Sequence, residues 1–344
     1  MPLKISMIAL SQTQIVKFFS SVNLLGYLIN KGFPTYVIKP LHTNLYRKSL
    51  SLRQTKTDKV DAHTIVSMLM SDVNLKSYSD TSYHNEELKS LTRYRFDKVK
   101  ERSESKVSVS RLVCILFPEL EKLAPILHRN SVYSMLYEFP GAKQIATVHL
   151  TRLSNLLDEA SKGHYKKDNA LTFREAARSS IGSNMPAKSL ELKHTIKLIR
   201  ELDSEIDEIE SEIIMDRINS PIPSIPGISY RMVAMIIAEI GDFDRFDSPD
   251  KILAYAGLSP STYQSGQMDN CHSRMEKRDS RYLQYALFNA TIYVCTWEPT
   301  FKAYLAKKRA EGKHYYVAIS HATKKLVRVL YQLKSSGQQY KKVL

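Results

Sequence analysis

The chain has 344 residues, and Lys plus Arg outnumber Asp plus Glu by 50 to 35, a net charge of +15. Hydrophobic residues make up 43%, enough for a folded core on a length suited to about two domains. No apolar run reaches the roughly 18 residues a membrane helix needs. The opening Met-Pro-Leu-Lys-Ile-Ser-Met-Ile-Ala-Leu is too short for a signal-peptide core. The three cysteines, Cys114, Cys271 and Cys295, lack metal-type spacing and imply free thiols in a reducing, cytoplasmic setting.

The charge sits at the two ends. Residues 1–57 hold eight basic residues and no acid, residues 271–344 hold fifteen basic and four acidic, and the stretch between carries −4. That pattern suits a protein that grips nucleic acid at both ends and touches protein between them.

In chain order, Val22 to Lys31 predicts a helix stopped by Gly32, followed by a strand over Pro34–Lys39. This is a fragment of an α/β unit. A basic stretch follows, with Arg47, Lys48, Arg53 and Lys56, and then a helix opening at Thr57-Asp58 and running through Ala62, Ile65, Val66 and Leu69. Residues 85–127 read as a charged helix with Leu88, Leu91, Val99, Val107, Leu112 and Leu116 on its apolar face, broken at Phe117-Pro118. Shorter helices follow over 128–186, punctuated by Pro140-Gly141 and Gly182.

Residues 190–215 carry a heptad pattern. Leu192, Ile199, Ile206 and Ile213 form one seam, Leu202 and Ile209 the second, with Thr195 weakening it at one end. Two readings stand side by side: an intramolecular helical hairpin with its partner in 85–115, or a dimerisation coiled coil. Residues 219–224, rich in Pro and Ser, mark a domain boundary. Beyond it, Ile225-Pro-Gly-Ile-Ser229 leads into a helix over Tyr230–Ile240 ended by Gly241, and a short helix spans about Pro249–Ala256. A Gly/Ser/Pro-rich loop runs from Gly257 to Gly266, and long helices occupy about 279–297, 299–311 and 314–336.

Four constellations can carry chemistry. Asp58 and Asp61, at i and i+3 near a helix start, point the same way and form the smallest carboxylate pair able to hold Mg²⁺. Acids in a first helical turn also simply stabilise the helix through its dipole. Pro226-Gly227-Ile228-Ser229 before a helix N-terminus presents backbone N–H groups to a phosphate, or caps a buried helix. The loop around Ser265 offers a hydroxyl beside Gly266, with Tyr263 a second nucleophile and no histidine placed for a dyad; loop-forming is the plain alternative. In the C-terminal region, Arg274, Lys277, Arg278, Arg281, Lys307, Lys308, Arg309 and Lys313, with interleaved tyrosines, suit phosphate neutralisation and base stacking.

Together these motifs resemble transposases of the insertion sequence 110 family, 116/902 subtype. Lys31-Gly-Phe-Pro-Thr-Tyr-Val-Ile-Lys-Pro40 and Lys56-Thr-Asp-Lys-Val-Asp-Ala62 look like the end of a RuvC-like, RNase H-type DEDD nuclease domain. Ile225-Pro-Gly-Ile, Ala238-Glu-Ile-Gly-Asp242, Ala254-Tyr-Ala-Gly-Leu-Ser-Pro260, Gln264-Ser-Gly266 and Lys277-Arg278 look like the C-terminal transposase domain. The resemblance implies a mainly α fold with a partial α/β nuclease fragment over 1–84, a helical coiled-coil connection over 85–220 and an α-helical transposase domain over 221–344 that opens like a helix-hairpin-helix. It implies Asp58 and Asp61 as Mg²⁺ ligands and Ser265 as the residue joined covalently to DNA. It also implies a homodimer or tetramer, in which one protomer's carboxylates face another's serine, and a structured guide RNA from the same element beside the DNA. The setting is bacterial, cytoplasmic and nucleoid-associated. The family's first Asp and its Glu have no counterpart in 1–57, where the opening strands are expected to be absent or replaced. The expectation is a truncated or frameshifted copy with impaired strand transfer, whose residues 1–21 pack poorly.

Overall fold

The computed structural model describes residues 8–9, 26–28, 30–33, 37–38, 40–50, 57–71, 80–124, 126–215, 220–259, 264–265, 268–269 and 280–341. They are mainly helical. The chain forms two compact units, one of residues 91–217 and one that combines 1–90 with 218–344.

In the N-terminal segment, residues 26–28 and 30 are helical and the chain turns at Lys31-Gly32. Gly32 has φ +72°, and the Phe33 N–H bonds the Leu28 carbonyl at 3.0 Å. A left-handed glycine with a bond reaching five residues back is how many helices close. Strand β1 (Ile8–Ala9) pairs in parallel with β2 (Val37–Ile38), Ile8 opposite Val37. A two-residue strand thus stands in the segment where the family's opening strands are expected to be absent or replaced. Helix α1 (Pro40–Leu50) follows directly, where the sequence shows only a basic stretch. Pro40 at its first position lacks an N–H the helix could not have used. Helix α2 (Asp58–Met70) starts as expected, with the Thr57 hydroxyl accepting from the Val60 N–H at 3.3 Å. The Tyr46 hydroxyl donates to the Ser67 carbonyl at 3.3 Å, and Thr64, Ile65 and Met68 are buried.

Among the described residues, the 91–217 unit is built of helices. Helix α3 (Asp80–Leu116) enters it, followed by α4 (Leu120–Leu123), α5 (Asn130–Glu138), α6 (Ala142–Thr147), α7 (Leu150–Ser161), α8 (Lys167–Arg178) and α9 (Pro186–Met215). Its core gathers Leu112, Leu116, Phe117, Leu136, Ile145, Leu153, Leu157, Phe173, Leu192 and Ile199. The expected apolar face of α3 needs one correction: Val107 is 71% exposed, and Val109, with Thr92 and Ser105, is buried instead. A charged helix whose apolar residues are sparse gives a poor phase for its buried side.

The heptad seam of α9 is buried within this chain at Leu192, Ile199, Leu202, Ile206, Ile209 and Ile213. Ion pairs show its partner. Arg95 meets Glu210 at 2.6 Å, Lys98 meets Glu205 at 2.7 Å and Arg102 meets Asp203 at 2.6 Å. Rising numbers on α3 match falling numbers on α9, so the two helices run antiparallel as a hairpin. Of the two readings of the heptads, this is the intramolecular one. At the far end of α3, Gly182 passes so close that a Cβ would stand 2.3 Å from the Leu116 carbonyl oxygen. The Ser183 N–H caps the Ile115 carbonyl at 2.8 Å.

The C-terminal segment contains α10 (Tyr230–Ile240), α11 (Pro249–Tyr255), strands β3 (Gln264–Ser265) and β4 (Met268–Asp269), and helices α12 (Arg281–Trp297), α13 (Pro299–Ala310) and α14 (Tyr315–Ser336). The helix positions agree with those predicted from the sequence to within a few residues. Val233, Ile236, Leu253, Leu283, Leu287, Ile319 and Leu326 form the core. Glu298 closes α12 and opens α13; its buried carboxylate accepts from the Phe301 N–H at 2.8 Å. The Arg245 guanidinium lies over the rings of Phe246 and Tyr255 at 4.6 and 4.7 Å. Among the described residues, no helix is long and apolar enough to cross a membrane.

Candidate nucleic-acid and recombinase site

The expected carboxylate pair lies in the first turn of α2. Asp58 opens the helix, and its side chain lies outside the described residues. Asp61 is described, and Arg47 of α1 reaches it, Nη1 to Oδ1, at 3.4 Å. The side chains are 19% and 38% exposed, and Arg47 is held from its other side by Asn44 Oδ1 at 2.9 Å. Mg²⁺ takes oxygen ligands from several groups, and a two-ion phosphodiester site needs enough negative charge to hold both cations. Among the described residues, no three His, Cys, Asp or Glu side chains come together to hold a metal ion. Asp61 already has a guanidinium as counter-charge. Of the two carboxylates that the family resemblance assigns to a metal, the described one is thus already paired with a cation.

Ser265 ends β3 and pairs with Met268 of antiparallel β4, while Gln264 pairs with Asp269. The loop expected from 257 to 266 thus ends in a small hairpin that carries the serine on its backbone ladder. The Ser265 side chain, Tyr263, Lys56, Arg274, Lys277 and Arg278 lie outside the described residues.

Gly227 has φ +92°, and a Cβ on it would lie 2.7 Å from the Tyr293 carbonyl oxygen. The glycine is required by close approach to α12, which gives the Pro-Gly turn a packing role. Behind the turn, the Ser229 hydroxyl caps α10 by accepting from the Met232 N–H at 3.4 Å.

The basic C-terminal candidates fall into distinct places. Arg281 is exposed at the start of α12, its guanidinium 4.8 Å over the Tyr282 ring. Lys307, Lys308 and Arg309 form the last turn of α13, where positive charge suits the helix dipole. Lys308 bonds Glu311 at 2.9 Å, and Arg309 donates to the Lys313 carbonyl at 2.8 Å. Sequence reasoning missed His321 of α14. Its pKa is held below the ordinary value by burial first and then by Lys313, Lys308 and Lys324, with Glu311 acting weakly the other way. Three ammonium groups thus act on one imidazole, which marks a local positive potential. The spacing of His321 from Lys324 on one helix was the available signal.

Two sequence-family profiles match in chain order. One, for a transposase of the IS110 DEDD type, matches residues 16–118, and one described as the transposase IS116/IS110/IS902 family matches residues 219–306. The chain belongs to this transposase family. Asp58 and Asp61 fall inside the first match and Ser265 inside the second. The IS110-family chain is 22% identical over 298 residues to the insertion element IS110 uncharacterized 43.6 kDa protein of Streptomyces coelicolor, covering 83% of this chain and 72% of that one. It is 25% identical over 286 residues to the insertion element IS900 uncharacterized 42 kDa protein of Mycobacterium paratuberculosis, covering 81% and 71%. A pilin gene-inverting protein of Moraxella bovis is 26% identical over 153 residues, 44% of this chain and 48% of the relative.

Proposed function

We propose that the chain is an insertion-element recombinase that acts on DNA through Ser265. The carrying observation is that both family profiles match one chain in order, the second enclosing a serine on a short hairpin. In this reading the Ser265 oxygen attacks a DNA phosphorus, a Ser–O–P bond replaces one phosphodiester P–O bond, and the departing hydroxyl oxygen takes up a proton. A second DNA hydroxyl then displaces the serine. The basic residues of the last turn of α13, Lys307, Lys308 and Arg309, with Lys313 just beyond it, support a polyanion grip by neutralising phosphates. DNA ends and a structured RNA from the element are the polyanions in question, held by a multimer of this chain in the bacterial cytoplasm. Residues 1–84 are read as a partial RuvC-like domain and 221–344 as the serine-bearing domain.

Strand transfer by this copy is read as impaired. Residues 1–57 contain no carboxylate, and Asp61 is engaged by Arg47. The same pair favours a second reading, a nucleic-acid-binding protein without catalysis. The deciding experiment incubates the full chain with labelled duplex carrying the element ends, the element RNA and Mg²⁺. Salt-sensitive binding with little or no protein–DNA adduct is expected, and any adduct should vanish in Ser265→Ala. Efficient recombination would refute the impairment, and an adduct surviving in Ser265→Ala would remove the serine from the reaction.

A further inference from the structure

The segment that carries Ser265 is anchored at its two ends in different ways. At the N-terminal end, Leu258 is buried in the core and its N–H bonds the Leu253 carbonyl at 2.9 Å. At the C-terminal end, the anchor is polar. Ser280 Oγ donates to Glu239 Oε2 at 2.6 Å, and the same Oγ accepts from the Leu283 N–H at 3.2 Å. Glu239, on the last turn of α10, is only 1% exposed. A carboxylate taken so far from water is costly to bury unless hydrogen bonds hold it, and here one of them is short and charge-assisted. The same hydroxyl caps the first turn of α12, the end of a helix dipole that favours a nearby carboxylate.

The opposite end of α10 is also tied to α12, through Gly227 against Tyr293. The two helices are therefore fixed to each other at both ends. Buried apolar residues of both helices, among them Val233, Ile236, Leu283 and Leu287, serve the packing of α10 and α12. What Glu239 adds is a fixed point for Ser280, where the segment bearing β3 and β4 returns to the core.

We propose that Glu239, acting through Ser280, is a positioning residue that fixes the C-terminal end of the serine-bearing segment. Its consequence for chemistry rests on reading Ser265 as the nucleophile.

The test uses the full chain with three variants: Glu239→Gln, which keeps an acceptor without the charge, Glu239→Leu, which removes both and leaves the Ser280 cap on Leu283 in place, and Ser280→Ala, which removes the bond to Glu239 together with that cap. Amide exchange is measured by mass spectrometry without DNA. In Glu239→Leu and Ser280→Ala, peptides covering 264–283 should exchange about tenfold faster while peptides from α13 and α14 stay as in wild type. Glu239→Gln should lie between. Unchanged exchange at 264–283 in Ser280→Ala overturns the proposal even where Glu239→Leu fails to fold. So does acceleration spread evenly through α10–α14, which would mark a merely structural role. A serine–DNA adduct assay, run in parallel, should fall in the order of the exchange effect. Where wild type forms too little adduct to rank, as impaired strand transfer entails, the exchange data alone decide the anchor.

Discussion

Gly227 touches the backbone of Tyr293 so closely that no side chain fits between them. A Cβ there would also meet the Tyr293 carbonyl carbon at 2.8 Å, on a residue whose φ is +92°. Both the backbone conformation and the space exclude other residues. Gly227→Ala is expected to cost roughly 2 kcal/mol or more, the strain of a left-handed non-glycine plus displacement of α12. Urea unfolding followed by circular dichroism measures it. Nucleic-acid affinity that drops while stability holds would show that the turn touches phosphate and that its packing matters little.

The buried seam of α9 makes a prediction about assembly. Ile199→Ala should destabilise the chain by about 2–5 kcal/mol, the usual cost of such a cavity. The loss should be the same at every protein concentration, because the partner helix is α3 of the same chain. A shift to smaller particles in Ile199→Ala, measured by light scattering, would assign the seam to a dimer.

Arg47 and Asp61 bear on metal use. With the carboxylate already paired, millimolar Mg²⁺ is expected to leave the melting temperature unchanged from that in EDTA, since a ligand stabilises only what it binds. Arg47→Gln should loosen the packing of α1 on α2 by well under 1 kcal/mol, as is ordinary for a partly exposed pair. A clear Mg²⁺-dependent rise in wild type, abolished by Asp61→Asn, would establish a metal site at α2.

His321 should make polyanion binding depend on pH. Its folded pKa lies below the ordinary 6.5. Just below that value the unfolded chain therefore holds more protons than the folded one, and stability falls as pH drops through 6.5 towards the folded pKa. A phosphate backbone beside Lys308, Lys313 and Lys324 offsets their repulsion and favours protonation, so binding should tighten over the same window. Fluorescence titration of a labelled duplex at pH 7.5 and 6.0, at fixed salt, checks it; His321→Gln should remove most of the difference. Replacing Lys313 and Lys324 by Gln should lower the log–log salt slope by about one for each phosphate that is no longer neutralised.

Much of the helical framework was legible from caps and breakers. Thr57 and Gly241 lie where local chemistry leaves little choice. Helix α1 is hard to see because its residues are polar and its one start signal, Pro40, also reads as a turn. Val107 and Val109 are hard to tell apart as the buried position because the apolar residues of α3 are too few to set the phase. The heptads of α9 show which face is buried but not against which chain, since antiparallel and intermolecular partners satisfy the same spacing. For the site, Asp61 and Ser265 were recognisable as residues of a family motif. Arg47 and Glu239 were not, because each acts across 14 or 41 residues of intervening chain, and single-sequence periodicity carries no information at that range.

The α3–α9 hairpin constrains how this sequence can drift. Each α-helical residue turns the chain by about 100°, so inserting or deleting one residue in either arm would rotate everything beyond it out of register. The pairs Arg95–Glu210, Lys98–Glu205 and Arg102–Asp203 would then all miss together. Length changes are tolerable only in steps near seven residues, or when both arms change at once. The distance spanned by this helical arm is thus inherited as a unit, and relatives should differ in its side chains far more readily than in its length.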